Sequence, residues 1–243
     1  VKKKMTNNVL ITGASKGIGL VLAKHFAKNN FNVFVTARTA KVLEELTKIP
    51  NIKGFYACDL TKDCMFLYQE AKKVLGSIDI LVNDAGAYVC SEIEKTTDDD
   101  IENLVNLNMI APYKLARLVI PDMKKNKFGR IINIGSISGV VGEAYATLYS
   151  MTKSSFIGFS KALALEVAEY GITVNTIHPG WVDTSLIHCD NMTFEEEELM
   201  QTIPQRRYIE PSEIAELAIY IASPAAKGLT GQSINLCAGI SMG

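Results

Sequence analysis

Tyr149 and Lys153 are the residues whose types and spacing point most directly to chemistry. Four residues apart in a helix, a phenol and an ammonium group lie on one face. A lysine beside a tyrosine favours the phenolate, so the phenol can exchange a proton with a carbonyl or alcohol oxygen near neutral pH. Ser136, thirteen residues upstream of the tyrosine, adds a hydroxyl that can polarise the same oxygen. Such a pair also arises by chance, so its weight depends on the elements that position it.

Short apolar runs alternate with longer helical patterns along the whole chain. The predicted strands are 9–12, 32–36, 54–58, 80–83, 130–135, 173–178 and 233–236. The predicted helices are 18–28, 40–48, 64–75, 101–124, 148–170 and 212–221. Strand runs that are apolar without alternation are typical of parallel strands buried on both faces. The pattern predicts an α/β fold, a doubly wound Rossmann-type parallel sheet of about seven strands with helices on both faces.

Residues 1–243 are expected to form a single domain, because no repeat or linker divides the chain. Residues 184–208 interrupt the alternation with an acidic stretch at 195–198. Insertions at the carboxyl ends of parallel strands often cover a ligand crevice, so this segment is predicted to be a substrate lid.

Composition and charge argue against several classes of function. The chain is 48% hydrophobic and has a formal net charge of -1, which gives no electrostatic basis for binding nucleic acid or an anionic membrane. No run approaches the roughly 18 apolar residues of a membrane span, and no signal peptide is predicted. The five cysteines lack disulfide or zinc spacing, which favours a cytoplasmic location. The three histidines are scattered, so no metal site is predicted.

The first predicted strand runs into a glycine-rich turn that opens a helix. Its sequence is Thr12-Gly13-Ala14-Ser15-Lys16-Gly17-Ile18-Gly19. Glycines let the backbone approach a pyrophosphate, and a helix N-terminus offers unpaired N–H groups and the positive end of the helix dipole. A strand, such a turn and a helix together predict a dinucleotide site.

Six features occur in the order and spacing of one known family. They are the Thr-Gly-x-x-x-Gly-x-Gly turn, Asn83-Asp84-Ala85-Gly86, Asn108, Ser136, Tyr149-x-x-x-Lys153 and Pro179-Gly180. They span nearly the whole chain, which resembles the short-chain dehydrogenases/reductases. Around residues 130–136 and 158–166 the sequence is similar to 3-oxoacyl-[acyl-carrier-protein] reductases, acetoacetyl-CoA reductases and polyketide ketoreductases.

The resemblance implies a catalytic tetrad. Tyr149 is implied to be the acid/base and Ser136 to bind the substrate oxygen. Lys153 is implied to hold the nicotinamide ribose and to lower the pKa of the tyrosine. Asn108 is implied to anchor a water that relays protons from Lys153 to solvent. Reduction then joins hydride transfer to the carbonyl carbon with protonation of the oxygen by Tyr149.

Two nearby residues are interpreted differently. Ser138 is a weaker candidate for binding the substrate oxygen, because only Ser136 stands at the family's position directly after the fifth strand. His178 precedes Pro179 at a strand end, with no nucleophile or metal ligand nearby in the sequence, so it is interpreted as a packing residue.

Charge at the end of the second strand predicts the cofactor. NAD-specific folds place an acid there for the ribose 2′-hydroxyl, and NADP-specific folds place an arginine. Here the acidic position is Ala37, and Arg38 can bind a 2′-phosphate with help from Lys16, so NADP(H) is predicted. The cofactor residues, several of them implied by the resemblance, are Gly13, Ser15, Lys16, Gly17, Ile18, Gly19, Arg38, Thr39, Asp59, Leu60, Asn83, Ala85, Gly86, Tyr149, Lys153, Pro179, Gly180, Val182 and Thr184.

Two positions depart from the family pattern. Asp84 replaces the usual second asparagine of Asn-Asn-Ala-Gly, which is nearly isosteric but removes a hydrogen-bond donor. Cys237-Ala238-Gly239 stands where many relatives have Asp-Gly-Gly. The second change is expected to affect turn or interface geometry and not the chemistry.

The resemblance favours a 3-oxoacyl thioester, bound to acyl carrier protein or CoA, or a polyketide-like ketone as substrate. A small secondary alcohol, sugar or steroid is the alternative. Lys127 lies where such reductases dock the acidic carrier, but the second basic position is Tyr170, so the docking patch is half present. A non-catalytic dinucleotide sensor is a further alternative, against which the intact tetrad argues. Relatives are mostly tetramers, so a homotetramer is expected.

Overall fold

Seven parallel strands form the centre of the structure, a computed structural model that describes residues 7–184 and 196–242. In chain order they are β1 (Asn8–Thr12), β2 (Asn32–Ala37), β3 (Ile52–Ala57), β4 (Ile80–Asn83), β5 (Gly129–Ile134), β6 (Ile172–Pro179) and β7 (Ser233–Leu236). They lie side by side in the order β3-β2-β1-β4-β5-β6-β7. The strand order reverses between β1 and β4, which is where ligand crevices form in such sheets. The predicted doubly wound sheet is confirmed.

Helices connect the strands and cover both faces of the sheet. They are α1 (Gly17–Lys28), α2 (Ala40–Leu46), α3 (Leu60–Leu75), α4 (Asp98–Val105), α5 (Ala111–Asn126), α6 (Ser138–Val141), α7 (Thr147–Val167), α8 (Glu196–Thr202) and α9 (Pro211–Ala222). Of the predicted insertion at 184–208, residues 185–195 lie outside the described residues, and α8 occupies part of the remainder.

Two apolar cores, one on each face of the sheet, hold these layers together. Along β1, Val9 and Ile11 belong to one core and Leu10 belongs to the other, and all three are fully buried. Successive side chains of a strand point to opposite faces, which explains why the run is apolar without alternation. Burial of each such side chain contributes about 1.5–3 kcal/mol. This burial fixes the strand that leads into the glycine turn.

The longest helix predicted from periodicity, 101–124, is interrupted in the structure. A capping box between Thr97 and Asp100 starts α4 at Asp98, and α4 ends at Val105. A π-helical turn, Asn106–Ile110, then joins α4 to α5. Turns of this kind are rare and occur mostly at functional sites. Apolar spacing could not show this turn, because the turn adds a single residue to an otherwise regular pattern.

Candidate active site

Loops at the carboxyl ends of β1, β4, β5 and β6 enclose a pocket beside the reversal of strand order. It is lined by Ile18, Tyr88, Gly135, Ser136, Ile137, Ser138, Glu143, Tyr149, Pro179, Gly180, Trp181, Val182 and Thr184. Seven of these are residues that the sequence assigns to catalysis or to cofactor binding. Residues far apart in the chain therefore meet at one edge of the sheet.

Tyr149 and Lys153 lie one turn apart on α7, as their spacing predicts. The Nζ atom of Lys153 lies 5.7 Å from the centre of the Tyr149 ring and donates a 2.9 Å hydrogen bond to the carbonyl oxygen of Ile134. The lysine is buried, with 5% of its surface exposed. Tyr149 shares a side-chain hydrogen bond with Ser136. The structure thus brings the phenol, the ammonium group and the serine hydroxyl together.

Burial is the largest influence on the pKa of Tyr149, and the lowering by Lys153 that the resemblance implies stays a prediction. Burial raises the pKa of Tyr149 to about 12, the hydrogen bond with Ser136 lowers it, and the negative charges of Glu143 and Asp84 raise it. Burial lowers the pKa of Lys153, while the Asp84 carboxylate opposes that shift. Desolvation of the phenolate thus outweighs the lowering by Ser136. Burial therefore favours the neutral phenol of Tyr149 over the phenolate.

Asn108 lies in the π turn and is 1% exposed. Its side chain accepts a 3.0 Å hydrogen bond from the backbone N–H of Ala87, and donates 3.0 Å bonds to the Ala87 carbonyl and to the Thr152 hydroxyl. These bonds fix the amide beside Gly86, where a Cβ would lie 3.2 Å from Asn108 Oδ1 and 3.4 Å from Lys153 Nζ. Asn108 and Lys153 thus flank the same point of the backbone. The water assigned to Asn108 stays a prediction.

Ser136 follows β5 and lies at one end of a chain of hydroxyl groups. Its Oγ accepts a 3.2 Å bond from the backbone N–H of Ser138 and donates a 3.0 Å bond to Ser138 Oγ. Ser138 in turn donates to Glu143 Oε2 at 2.6 Å, so its proton is directed away from Tyr149. His178 is fully buried, and its Nδ1 lies 3.0 Å from the Ser136 carbonyl oxygen. This contact agrees with a packing role for His178.

The glycine turn leaves no room for side chains where a dinucleotide would approach. Gly13 and Gly17 have φ angles of +76° and +54°, which disfavour residues with a Cβ. A Cβ at Gly13 would lie 2.9 Å from the backbone nitrogen of Ala85, and one at Gly19 would lie 2.4 Å from the Gly13 carbonyl oxygen. The N-cap residue Lys16 makes no side-chain bond to the first turn of α1, and of the N–H groups in that turn the one of Gly19 is bonded to the Asp84 carboxylate, which leaves those before it for a pyrophosphate. These residues fit a dinucleotide.

A single hydroxyl joins the glycine turn to the loop after β4. Thr12 Oγ1 accepts 3.0 Å bonds from the backbone N–H groups of Asp84 and Ala85 and donates a 3.3 Å bond to the Val82 carbonyl. Asn83, one residue earlier, donates a 2.8 Å bond to Asn133 on β5. These contacts hold the two sides of the crevice at a fixed separation.

At the predicted adenine end, Arg38 and Lys16 are both exposed. Arg38 follows Ala37, the last residue of β2, so its guanidinium group is free to meet a phosphate. Asp59 caps α3 and accepts hydrogen bonds of 3.0 and 2.8 Å from the N–H and hydroxyl of Thr61. These bonds lower the pKa of Asp59, and the charge of Arg38 acts in the same direction. A carboxylate and a guanidinium group therefore flank this end.

The segment after β6 closes the opposite end of the crevice. A Cβ on Gly180 would lie 2.8 Å from the Cα of Cys237, so the departure at 237–239 packs directly behind the predicted nicotinamide site. Ala238 has a φ of +52°, an angle better suited to the glycine of relatives. Thr184 lies near the glycine turn, its Cγ2 3.5 Å from where a Cβ on Gly17 would be. Pro179–Thr184 thus spans from β6 towards α1.

Comparison with known proteins identifies the family. The family profile described as short chain dehydrogenase matches residues 7–193. The chain belongs to this family. The resemblance drawn from six sequence features is therefore confirmed.

Relatives of this short-chain dehydrogenase align over nearly its whole length. The uncharacterized oxidoreductase YxjF of Bacillus subtilis is 37% identical, over 95% of this chain and 96% of that protein. The 3-oxoacyl-[acyl-carrier-protein] reductase of Vibrio harveyi is 35% identical, over 96% of each. A variant of actinorhodin polyketide ketoreductase, solved with NADPH, has a TM-score of 0.91 and 31% identity, and the match covers 97% of each chain.

Six of the residues that line the pocket of this short-chain dehydrogenase, and Asp84 beside it, are not among those that the sequence assigns to catalysis or to cofactor binding. Tyr88, Glu143 and Trp181 line the pocket, and the Tyr88 ring meets the Tyr149 ring edge-on, with centres 4.9 Å apart. Asp84 was noted only as a departure, yet its Oδ2 would lie 2.5 Å from a Cβ on Gly19. Its backbone hydrogen bond comes from Gly19, and burial raises its pKa. The sequence signal for Glu143 was an acid in a loop of small and apolar residues.

Across residues 7–184 and 196–242, no His, Cys, Asp and Glu side chains are grouped so that they could hold a metal ion. Within the same residues, no helix combines the length and the hydropathy that crossing a membrane requires.

Proposed function

We propose that this short-chain dehydrogenase is an NADPH-dependent ketoreductase, which transfers a hydride between NADP(H) and a ketone or secondary alcohol. One observation carries the proposal: a half-buried phenol is hydrogen-bonded to a serine, one helical turn from a buried lysine, beside a glycine turn that fits a dinucleotide. A phenol in this state can protonate a carbonyl oxygen. The names of the reductase relatives and of the ketoreductase structure support the same reaction class.

In the proposed mechanism, the glycine turn, Arg38 and Lys153 would hold NADP(H), which when bound would supply a hydride to the carbonyl carbon of the substrate. Tyr149 donates its proton to the oxygen as negative charge develops there, and Ser136 offers a second hydrogen bond to the same atom. Lys153 stabilises the phenolate that remains and holds the ribose. Asn108 fixes the backbone at Ala87 beside Lys153, where a proton from solvent can return.

NADP(H) is proposed as the cofactor on the basis of charge. Ala37 provides no carboxylate to repel a 2′-phosphate, and the exposed Arg38 and Lys16 provide two cations for it. Asp59 is held by Thr61 at the start of α3 and is available for the adenine. The match to a ketoreductase solved with NADPH supports this choice.

The substrate class that we propose first is a 3-oxoacyl thioester, of CoA or acyl carrier protein, or a polyketide-like ketone. Its support is the similarity to reductases of that name. The surface gives an interaction with acyl carrier protein only weak support. Lys127 follows Lys124 closely in the chain, and the ammonium group of Lys124 lies over the Tyr170 ring, 4.7 Å from its centre. A small secondary alcohol or sugar is the alternative, and the carboxylate of Glu143 in the pocket wall favours it.

The direct test is NADPH oxidation, followed by absorbance, across 3-oxoacyl thioesters, simple ketones, hydroxyketones and aldehydes. We expect turnover with at least one ketone class, and higher catalytic efficiency with NADPH than with NADH. Binding of NADPH without oxidation across the whole panel would identify a dinucleotide sensor instead and overturn the proposal. Sedimentation of the purified protein tests the homotetramer that the resemblance implies.

A further inference from the structure

Glu143 places a carboxylate in the wall of the substrate pocket, one hydroxyl group away from the catalytic centre. Its Oε1 accepts a 2.6 Å hydrogen bond from the Tyr88 hydroxyl, and its Oε2 accepts a 2.6 Å bond from Ser138 Oγ. Ser138 Oγ in turn lies 3.0 Å from Ser136 Oγ, which is bonded to Tyr149. A group bound near the reacting oxygen is therefore within reach of this carboxylate.

Two neutral donors hold the Glu143 carboxylate in place and leave it able to accept further hydrogen bonds. Each oxygen of a carboxylate has two lone-pair directions, and each oxygen of Glu143 uses one of them for Tyr88 or Ser138. The Tyr88 ring, packed edge-on against Tyr149 with centres 4.9 Å apart, keeps this group beside the chemistry. Glu143 is only partly exposed, so a substrate that covers it removes water from it.

The cost of that desolvation discriminates between substrates. A methyl or methylene group placed over the carboxylate removes water and returns no hydrogen bond, which is unfavourable for a charged group. A hydroxyl, amine or amide N–H at the same place replaces the lost water with a charge-assisted hydrogen bond. The same asymmetry lets a buried polar group reject an analogue that lacks its partner.

We infer that Glu143 is a specificity-determining residue that selects ketones with a hydrogen-bond donor on the carbon bonded to the carbonyl group or on the next carbon along the chain. The inference rests on the proposed ketoreductase function and narrows its substrates. Hydroxyketones, including sugar-like ones, satisfy the condition directly. A 3-oxoacyl thioester satisfies it only when its acyl chain carries a hydroxyl or amino group close to the ketone.

A purely structural role for Glu143 predicts something else. Tyr88, Ser138 and Glu143 also tie the loop after β4 to the segment between β5 and α7. If this tie were the whole function, loss of the carboxylate would weaken the reduction of all ketones by a similar factor. Selection of donors instead predicts a change in the ratio between matched ketones.

The test uses ketones that differ only in the donor. Hydroxyacetone is compared with butanone, its isostere, and with methoxyacetone, which keeps the oxygen but cannot donate; hydroxybutanone and pentanone form a second pair with the donor one carbon further away. In the wild type, kcat/KM is expected to be roughly tenfold or more higher for a hydroxyketone than for its apolar isostere. Methoxyacetone should be no better than butanone. In Glu143→Gln this preference should fall at least about fivefold.

Glu44→Gln is the matched control, because it removes an exposed carboxylate on α2 and should leave the preference unchanged. Equal kcat/KM for the hydroxyketones and their isosteres in the wild type would overturn the inference while leaving the ketoreductase proposal intact. So would a preference that survives in Glu143→Gln.

A binding measurement that needs no turnover distinguishes failure of donor selection by Glu143 from failure of the proposed ketoreductase function. Trp181 lines the pocket and is the single tryptophan of the chain, so its fluorescence reports occupancy by ketone when NADP⁺ is present in place of NADPH. Tighter binding of hydroxyacetone than of butanone, lost in Glu143→Gln, supports donor selection even if no ketone of the panel is reduced. Equal binding of the two overturns donor selection, whereas failure of the ketoreductase function appears only as absent NADPH oxidation.

Discussion

The cofactor end and the substrate end of the crevice are built by different means. At the cofactor end, shape comes from backbone: Gly13 has a φ of +76°, and a Cβ on Gly19 would lie 2.4 Å from the Gly13 carbonyl oxygen. At the substrate end, shape comes from side chains, with Glu143 held at 2.6 Å by both Tyr88 and Ser138. A surface of close-packed backbone tolerates few substitutions, whereas hydrogen-bonded side chains can be exchanged singly. The cofactor end therefore suits a ligand that does not vary, whereas single substitutions at the substrate end can adapt it to different substrates.

Loss of the Tyr149 phenol should have the largest effect, because it should lower turnover strongly while leaving cofactor binding nearly unchanged. In Tyr149→Phe, the proton donor at the junction of the two ends disappears while the glycine turn is untouched. We expect kcat to fall roughly a thousandfold, within the usual contribution of general acid catalysis. The affinity for NADPH, measured by the change in its fluorescence on binding, should change little. Full turnover in this variant would remove Tyr149 from the mechanism.

A methyl group added at the cofactor end should weaken cofactor binding and leave the substrate end unchanged. In Gly19→Ala, the new Cβ meets the Gly13 carbonyl at 2.4 Å and Asp84 Oδ2 at 2.5 Å, so the turn must shift. We expect KM for NADPH to rise at least about tenfold, because the backbone no longer meets the pyrophosphate.

Gly158→Ala is the control, because a Cβ there has no neighbour within 4 Å and position 158 lies within α7. It should raise the free energy of unfolding by about 0.5–1 kcal/mol and leave KM unchanged. Equal kinetics in the two alanine variants would show that the glycine turn is not a cradle.

Arg38→Ala should change cofactor choice and leave substrate choice unchanged. Charge-assisted hydrogen bonds to a phosphate are stronger than neutral ones, so the preference for NADPH over NADH is expected to fall roughly tenfold. The ratio of kcat/KM values for the two cofactors measures this preference. An unchanged ratio contradicts the assignment of Arg38, and the kcat with NADPH at saturation should stay near that of the wild type.

Asp84→Asn should produce the smallest effect, a displaced pH profile. The Asp84 carboxylate raises the pKa of Lys153 against the lowering by burial. Without that charge, the pKa of Lys153 falls further, and the ammonium group is lost at a lower pH. The alkaline limb of kcat/KM should therefore move to lower pH, whereas Glu44→Gln should not move it. A shift to higher pH would contradict the sign of this interaction.

The cofactor end could be predicted from the sequence because backbone-built surfaces require particular residues at fixed spacing. Gly13, Gly17 and Gly19 are recognisable in any chain that forms this turn. The substrate end could not be predicted, because Tyr88 and Glu143 meet only after the sheet brings two loops together, and no spacing links them. The burial that raises the pKa of Tyr149 could not be predicted for a related reason: proximity to Lys153 follows from helix geometry, but burial depends on the whole fold.

The seven strands could be predicted to within two residues of their observed ends, since most of them are buried and rich in apolar residues. The backbone conformation of Ala238 could not be predicted from local sequence patterns. Nothing in its neighbourhood of the sequence requires a φ of +52°, an angle imposed by the turn after β7.

The π turn at Asn106–Ile110 makes this part of the chain a compromise between stability and activity. Deleting one residue, such as Met109, would allow α4 and α5 to join as one regular helix, which is the more stable local form. The deletion would also rotate the preceding residues by about 100° relative to α5 and carry Asn108 away from Ala87 and Thr152. Selection for thermal stability alone would therefore tend to erase the turn, and with it the placement of Asn108 that the proposed reaction uses.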